Sequence, residues 1–113
     1  MIPRIVIHTD LLMGAAAGKA IGPIILIRPA YRGNAGLLAH EIEHVRQFWA
    51  TAGLHLVLYP LVRRYRLWAE ARAFARQVQH GAALADMAER MARPVYRLRI
   101  TQEQAAALIA AHL

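Results

Sequence analysis

The sequence predicts an α+β fold, a small N-terminal sheet packed on a helical body. Two observations carry this. Two short apolar runs bounded by proline or aspartate lie before residue 30, and most of the chain from Asn34 onward repeats its apolar residues at a helical period. A length of 113 residues with 58% hydrophobic content then fits one domain, 1–113, with a modest core.

Arg4-Ile5-Val6-Ile7-His8 is β-branched, bounded by Pro3 and Asp10, and reads as a first strand. Residues 11–22 mix alanine and glycine and stay open between a short helix and a loop. Pro23 to Arg28 is the clearest strand, closed by Pro29; its leading proline favours a sheet edge, because proline cannot donate to a ladder. Tyr31 to Asn34 make a turn, and Asn34 is placed to cap a helix that runs to about Ala52 and stops at Gly53. Leu54 to Val62 is apolar, short and interrupted by Pro60, so it reads as a buried connection or a short helix. The next helix starts at Leu61 or Arg66 and runs to His80, ended by Gly81. Ala82 to Ala92 follows with Leu84, Met87, Ala88 and Met91 at helical spacing, and Pro94 ends it. Val95 to Ile100 alternates as a strand or an extended arm. Thr101-Gln102-Glu103-Gln104 has capping-box form and opens a last helix through Leu108 to His112.

Composition narrows the chemistry. The chain has no cysteine, which removes disulfides, thiolate metal sites and cysteine nucleophiles, and leaves histidine and carboxylate as the metal-binding groups. A net charge of +7 raises the expectation of a polyanionic partner, yet the arginines are scattered. Only Arg63, Arg64 and Arg66 cluster, and they read as a solvated helix start. No stretch reaches the roughly 18 uncharged apolar residues that span a bilayer. Residues 11–27 come closest and are broken by Lys19, three glycines and Pro23. The first residues make a poor signal peptide, so a soluble, cytoplasmic protein is the default expectation.

The chemistry-bearing stretch is His40-Glu41-Ile42-Glu43-His44, which has the form H-E-x-x-H. On a helix the two histidines lie one turn apart on one side, a geometry that suits a single metal ion. At about 100° per residue, Leu38, Ile42, Val45 and Trp49 gather on a core face, and Glu43, Arg46 and Gln47 fall on a wet one. Glu41 borders the metal and core faces, where a carboxylate can serve as a base without being a ligand. A catalytic zinc site needs a third protein ligand. Glu70 supplies a candidate: it sits on the rim of the apolar face formed by Leu67, Ala71, Phe74 and Val78, where a carboxylate is costly unless paired or metal-bound. The competing reading is an ion pair with Arg63 or Arg66 at helix spacing. His55 reads as a packed or hydrogen-bonded histidine.

Taken together, His40-Glu41-Ile42-Glu43-His44-Val45-Arg46-Gln47 and Glu70-Ala71-Arg72-Ala73 resemble the gluzincin pattern of metallopeptidases, in particular the minimal gluzincins and the small phage-type H-E-x-x-H peptidase domains. The likeness covers about Ile24 to Val78. It implies a zincin-like fold with the metal site between two helices, Zn2+ held by His40, His44 and Glu70, Glu41 as general base, and a peptide or protein substrate aligned along the Pro23–Arg28 strand as the sheet edge. Such families often add a tyrosine or histidine at the oxyanion; Tyr31, His55, Tyr59 and Tyr65 all qualify here, and no motif selects among them. Three functions follow as expectations: a zinc-dependent peptidase, a small basic nucleic-acid- or protein-binding module, and a catalytically inactive peptidase-like interaction protein in a phage or mobile-element setting.

Overall fold

The computed structural model describes residues 2–113. In chain order its elements are β1 (Ile5–His8), β2 (Gly18–Ile21), β3 (Ile24–Ile27), α1 (Ala35–Ala50), α2 (His55–Leu61), α3 (Arg63–Gln79), α4 (Leu84–Met91) and α5 (Gln102–Ala110), with 3-10 turns at Pro29–Tyr31 and Pro94–Tyr96. The class is α+β, with a three-stranded mixed sheet and five α-helices among the described residues.

The strand order is β1-β3-β2, with β3 parallel to β1 and antiparallel to β2. β3 is therefore central, not the edge its leading proline suggested. Pro23 is not required to donate to a ladder, because Ile21 pairs with Ile24 and Gly22-Pro23 forms the two-residue hairpin turn between them. Gly22 takes the left-handed first position of that turn at φ +57°, and Pro23 contributes only its carbonyl, which accepts from the Ile5 N–H at 2.9 Å. β2 resolves part of the ambiguous 11–22 region; its Gly-Lys-Ala-Ile sequence has neither alternation nor β-branching before its last residue. Arg28 pins the loop ahead of β2, donating from Nε to the Ala16 carbonyl at 2.8 Å and pairing with Asp10 at 2.9 Å.

Ile25 and Ile27 of β3 pack on Leu37 and Val45 of α1, with Leu38 and Ile42 partly buried beside them. Asn34 caps α1 as expected, its Oδ1 accepting from the Leu37 N–H at 3.0 Å. The far end closes one residue earlier than the glycine implied. Ala52 takes the left-handed step at φ +52°, donating to the Trp49 carbonyl, and Gly53 donates to Phe48, the two bonds of a Schellman motif. Leu54–Val62 is a short helix rather than a buried connection, and several of its apolar side chains face water.

α3 packs against α1 on one flank. At Gly36 a Cβ would sit 3.2 Å from Gln77 Cγ, so the glycine sets how closely the helices approach. Gly81, at φ +105°, ends α3 as expected. On its other flank α3 buries Ala71, Phe74 and Ala75 against Met87, Ala88 and Met91 of α4, Ala105 and Ile109 of α5, and Leu98.

Residues 95–100 form no strand. Arg97 and Arg99 have φ of +54° and +56°, incompatible with a ladder. The alternation instead reflects anchoring: Leu98 is buried, Arg63 donates to its carbonyl at 2.7 Å, and Arg66 donates to the Tyr96 and Arg97 carbonyls at 3.0 Å each. Arg66 is consequently buried and not part of a solvated helix start. Thr101 and Gln104 form the expected capping box on α5. Among the described residues no helix is long and apolar enough to cross a membrane.

Candidate metal centre

Helical period puts His40 and His44 one turn apart on α1, and the crossing of α3 places Glu70 opposite them. Glu70 Oε1 lies 3.2 Å from Nε2 of both histidines. All three residues are buried, and one ligand atom from each falls within 4.8 Å of the others. The alternative ion pairs for Glu70 are absent among the described residues, because Arg63 and Arg66 spend their guanidiniums on backbone carbonyls. Two imidazole nitrogens and a carboxylate oxygen, converging in a nearly dry pocket with a cleft on one side, fit a divalent cation with an open coordination position.

The support behind the candidate ligands was not legible in the sequence. His44 Nδ1–H donates to Gln47 Oε1 at 3.0 Å, which leaves Nε2 facing Glu70. Gln47 Nε2 in turn donates to the Ala69 carbonyl at 3.0 Å and to Glu43 Oε2 at 3.2 Å. Glu43 pairs with Arg72 at 3.2 Å, with Arg76 at 3.3 Å and, at the surface, with Arg46 at 3.5 Å. Glu43 and Gln47 are thus buried, although the helical wheel assigned them to a wet face; only Arg46 is exposed. Glu43 does not meet solvent on that face, because α3 lies on it and brings its own arginines. His40 has no equivalent support: its Nδ1 is buried without a hydrogen-bond partner, and its ring stands edge-on to Phe74 at 4.5 Å.

Glu41 is buried on the cleft side under β2. A Cβ at Gly18 would lie 3.1 Å from Glu41 Oε2, so only glycine lets the strand pass this close without displacing the carboxylate. Burial raises the Glu41 pKa, with Glu70 adding to it, against the pull of His40 and His44. Burial alone would lower His44, but the Glu70 carboxylate beside it, with help from Glu41 and Gln47, raises it to about 9. Burial would raise Glu70, yet His44 and His40 together hold it below the usual carboxylate range.

The four oxyanion candidates part company. Tyr59 donates its hydroxyl to Glu70 Oε2, and burial with that carboxylate pushes its pKa up. His55 and Tyr65 bond to each other at 2.7 Å, so His55 is a packed, hydrogen-bonded histidine as expected; burial and the nearby His44 lower its pKa to about 4. Tyr31 is exposed at the rim of the cleft.

Sequence reasoning missed Tyr96. It lines the same cavity of about 1040 Å3, edge-on to Phe74 at 5.5 Å, and burial, with the Glu70 and Glu41 carboxylates, pushes its pKa well above the usual phenol value. No local signal marks Tyr96: the 3-10 turn that carries it is held at the site by the Arg66 clamp and by packing on Phe74. Compared with protein-family models, with curated proteins and with solved structures, the chain matches none of them.

Proposed function

We propose that the chain is a zinc-dependent peptidase of the gluzincin kind, with Zn2+ held by His40, His44 and Glu70 and with Glu41 as the general base. The observation that carries this reading is the convergence of three buried ligand atoms on a cleft where a fourth buried group, Glu41, is left free of the ligand set. Zinc at such a site supplies Lewis acidity toward a substrate carbonyl and lowers the pKa of water toward neutrality.

The protein's own residues do the rest. Glu41, its proton affinity raised by burial, takes the proton of the attacking water and returns it to the leaving amine. Gln47 holds the His44 ring in register, and Tyr59 holds the second oxygen of Glu70. Tyr96, which stays a phenol at neutral pH, donates toward the carbonyl oxygen as charge builds there. The edge that an extended peptide would join is β2, whose Lys19, Ala20 and Ile21 line the cleft, rather than the central β3.

The disposition of charge favours this reading over a nucleic-acid module. Arg28, Arg72, Arg76 and Arg93 are paired with carboxylates, and Arg63 and Arg66 with backbone carbonyls, so much of the basic excess is used internally.

The test is elemental mass spectrometry of the purified protein, followed by hydrolysis of an unfolded protein substrate. About one zinc per chain is expected, lost or much weakened in His44→Ala and Glu70→Ala. Glu41→Gln should keep the metal and lose roughly 100- to 10,000-fold in hydrolysis. A wild-type protein that takes up no zinc when it is supplied sinks the reading. Wild type and Glu41→Gln with equal zinc and equal hydrolysis would leave a peptidase-like interaction protein.

A further inference from the structure

Between Glu43 and Glu70 the chain has no acidic residue, and this segment contains both of its tryptophans. It also carries a run of exposed apolar side chains on and around α2, including Leu54 at 60%, Val57 at 54% and Leu61 at 76% exposure, with Trp68 of α3 at 40%. The arrangement of α2 accounts for this. His55 and Tyr59, one turn apart, point at the metal centre, where their rings lie 5.8 Å from that of His44. Val57 and Leu61, also one turn apart, are therefore turned the other way, with Leu54 on the same side. The helix presents polar rings inward and aliphatic side chains to water, the reverse of an ordinary surface helix.

Cations follow at once. Arg63 and Arg64 open α3, and Arg64 has no ion pair among the described residues. Arg64, Trp68 and Arg72 stand at successive turns, with the Arg72 guanidinium 5.3 Å from the centroid of the Trp68 ring. Aliphatic side chains, an exposed tryptophan and the unpaired Arg64, beside an Arg72 that is itself held by Glu43, make up a surface suited to the headgroup region of an anionic bilayer. A second copy of the chain fits less well, since an isologous contact would bring the same Arg63 and Arg64 cations into one interface from both sides.

We propose that α2 and the first turns of α3 dock on an anionic lipid surface, with Leu54, Val57 and Leu61 entering the acyl boundary and Arg64 meeting lipid phosphates. The helix lies in the interface and does not span it, being only seven residues long. This surface stands apart from the metal reading, and either survives the failure of the other.

The experiment is co-sedimentation of the full chain with vesicles of equal parts phosphatidylglycerol and phosphatidylcholine, and with phosphatidylcholine alone, alongside analytical ultracentrifugation without lipid. Binding to the anionic vesicles is expected, weaker on the neutral ones and weakened by salt. Val57→Asp with Leu61→Asp should abolish it, and Arg64→Gln should reduce it about fivefold. These side chains are exposed, so circular dichroism and Tm should match wild type. Absence of binding to the anionic vesicles overturns the proposal. So does binding that Val57→Asp with Leu61→Asp leaves intact, because overall charge would then suffice. A dimer dissolved by those two substitutions, without lipid binding, would assign the surface to a second copy instead.

Discussion

The two flanks of α3 bury side chains by opposite means. Toward α4 and α5 the helix presents Ala71, Phe74 and Ala75 to a cluster of methionine, alanine, leucine and isoleucine. Toward α1 it buries Glu70 between two histidines and, through Arg72 and Arg76, covers Glu43. The first flank is held together by being filled, the second by having its polar groups paired. Apolar contacts are interchangeable within limits of volume, whereas on the polar flank each group is the partner of another. Losing one strands its neighbour.

Substitutions on the two flanks should therefore separate stability from metal affinity. The largest expected effect is Met91→Ala, which removes a fully buried side chain from the apolar flank and should cost about 2–5 kcal/mol. Urea titration should record that loss while the folded fraction still takes up about one zinc per chain. A matching fall in zinc affinity would mean the two flanks act as one unit. Next is Gln47→Leu on the polar flank, which unpairs His44 Nδ1 and removes a donor from Glu43. Competition with a chelator should show zinc bound roughly 10- to 100-fold more weakly. Unchanged affinity would reduce Gln47 to packing. Smallest is Thr101→Ala, which removes the α5 cap at about 1 kcal/mol. A thermal melt should register it and the zinc titration should not, since the cap belongs wholly to the apolar flank.

The parts of the fold that were legible in the sequence are those whose cause is local. Asn34, Gly81 and the Thr101–Gln104 box act within a turn of where they stand, and each does what its residue type implies. The histidine pair is legible for the same reason, since one helical turn relates its members. Glu70 is read from its place on an apolar rim, and the helix crossing then brings it to the histidines.

What failed depended on partners far along the chain. Glu43 looked solvated because the arginines that cover it lie 29 and 33 residues away. Pro23 looked like an edge marker because its place in a hairpin turn depends on β2, a strand with no β signature of its own. Tyr96 had no signal, because its position follows from carbonyls captured by Arg66 some 30 residues earlier.

The strand order β1-β3-β2 has a further consequence, for colloidal behaviour. It leaves two open edges, and that of β1 carries Ile5, Val6 and Ile7 exposed beside a row of unpaired peptide groups. An edge of this composition is a template for adding strands from other chains. β1 limits the hazard by its brevity, four residues, and by its flanks, with Pro3 and Arg4 before it and Asp10 just beyond. Resistance to aggregation at high concentration is thus entrusted in part to residues beside β1 that take no part in the proposed chemistry, and removing Pro3 and Arg4 would weaken that protection while leaving His40, His44 and Glu70 untouched.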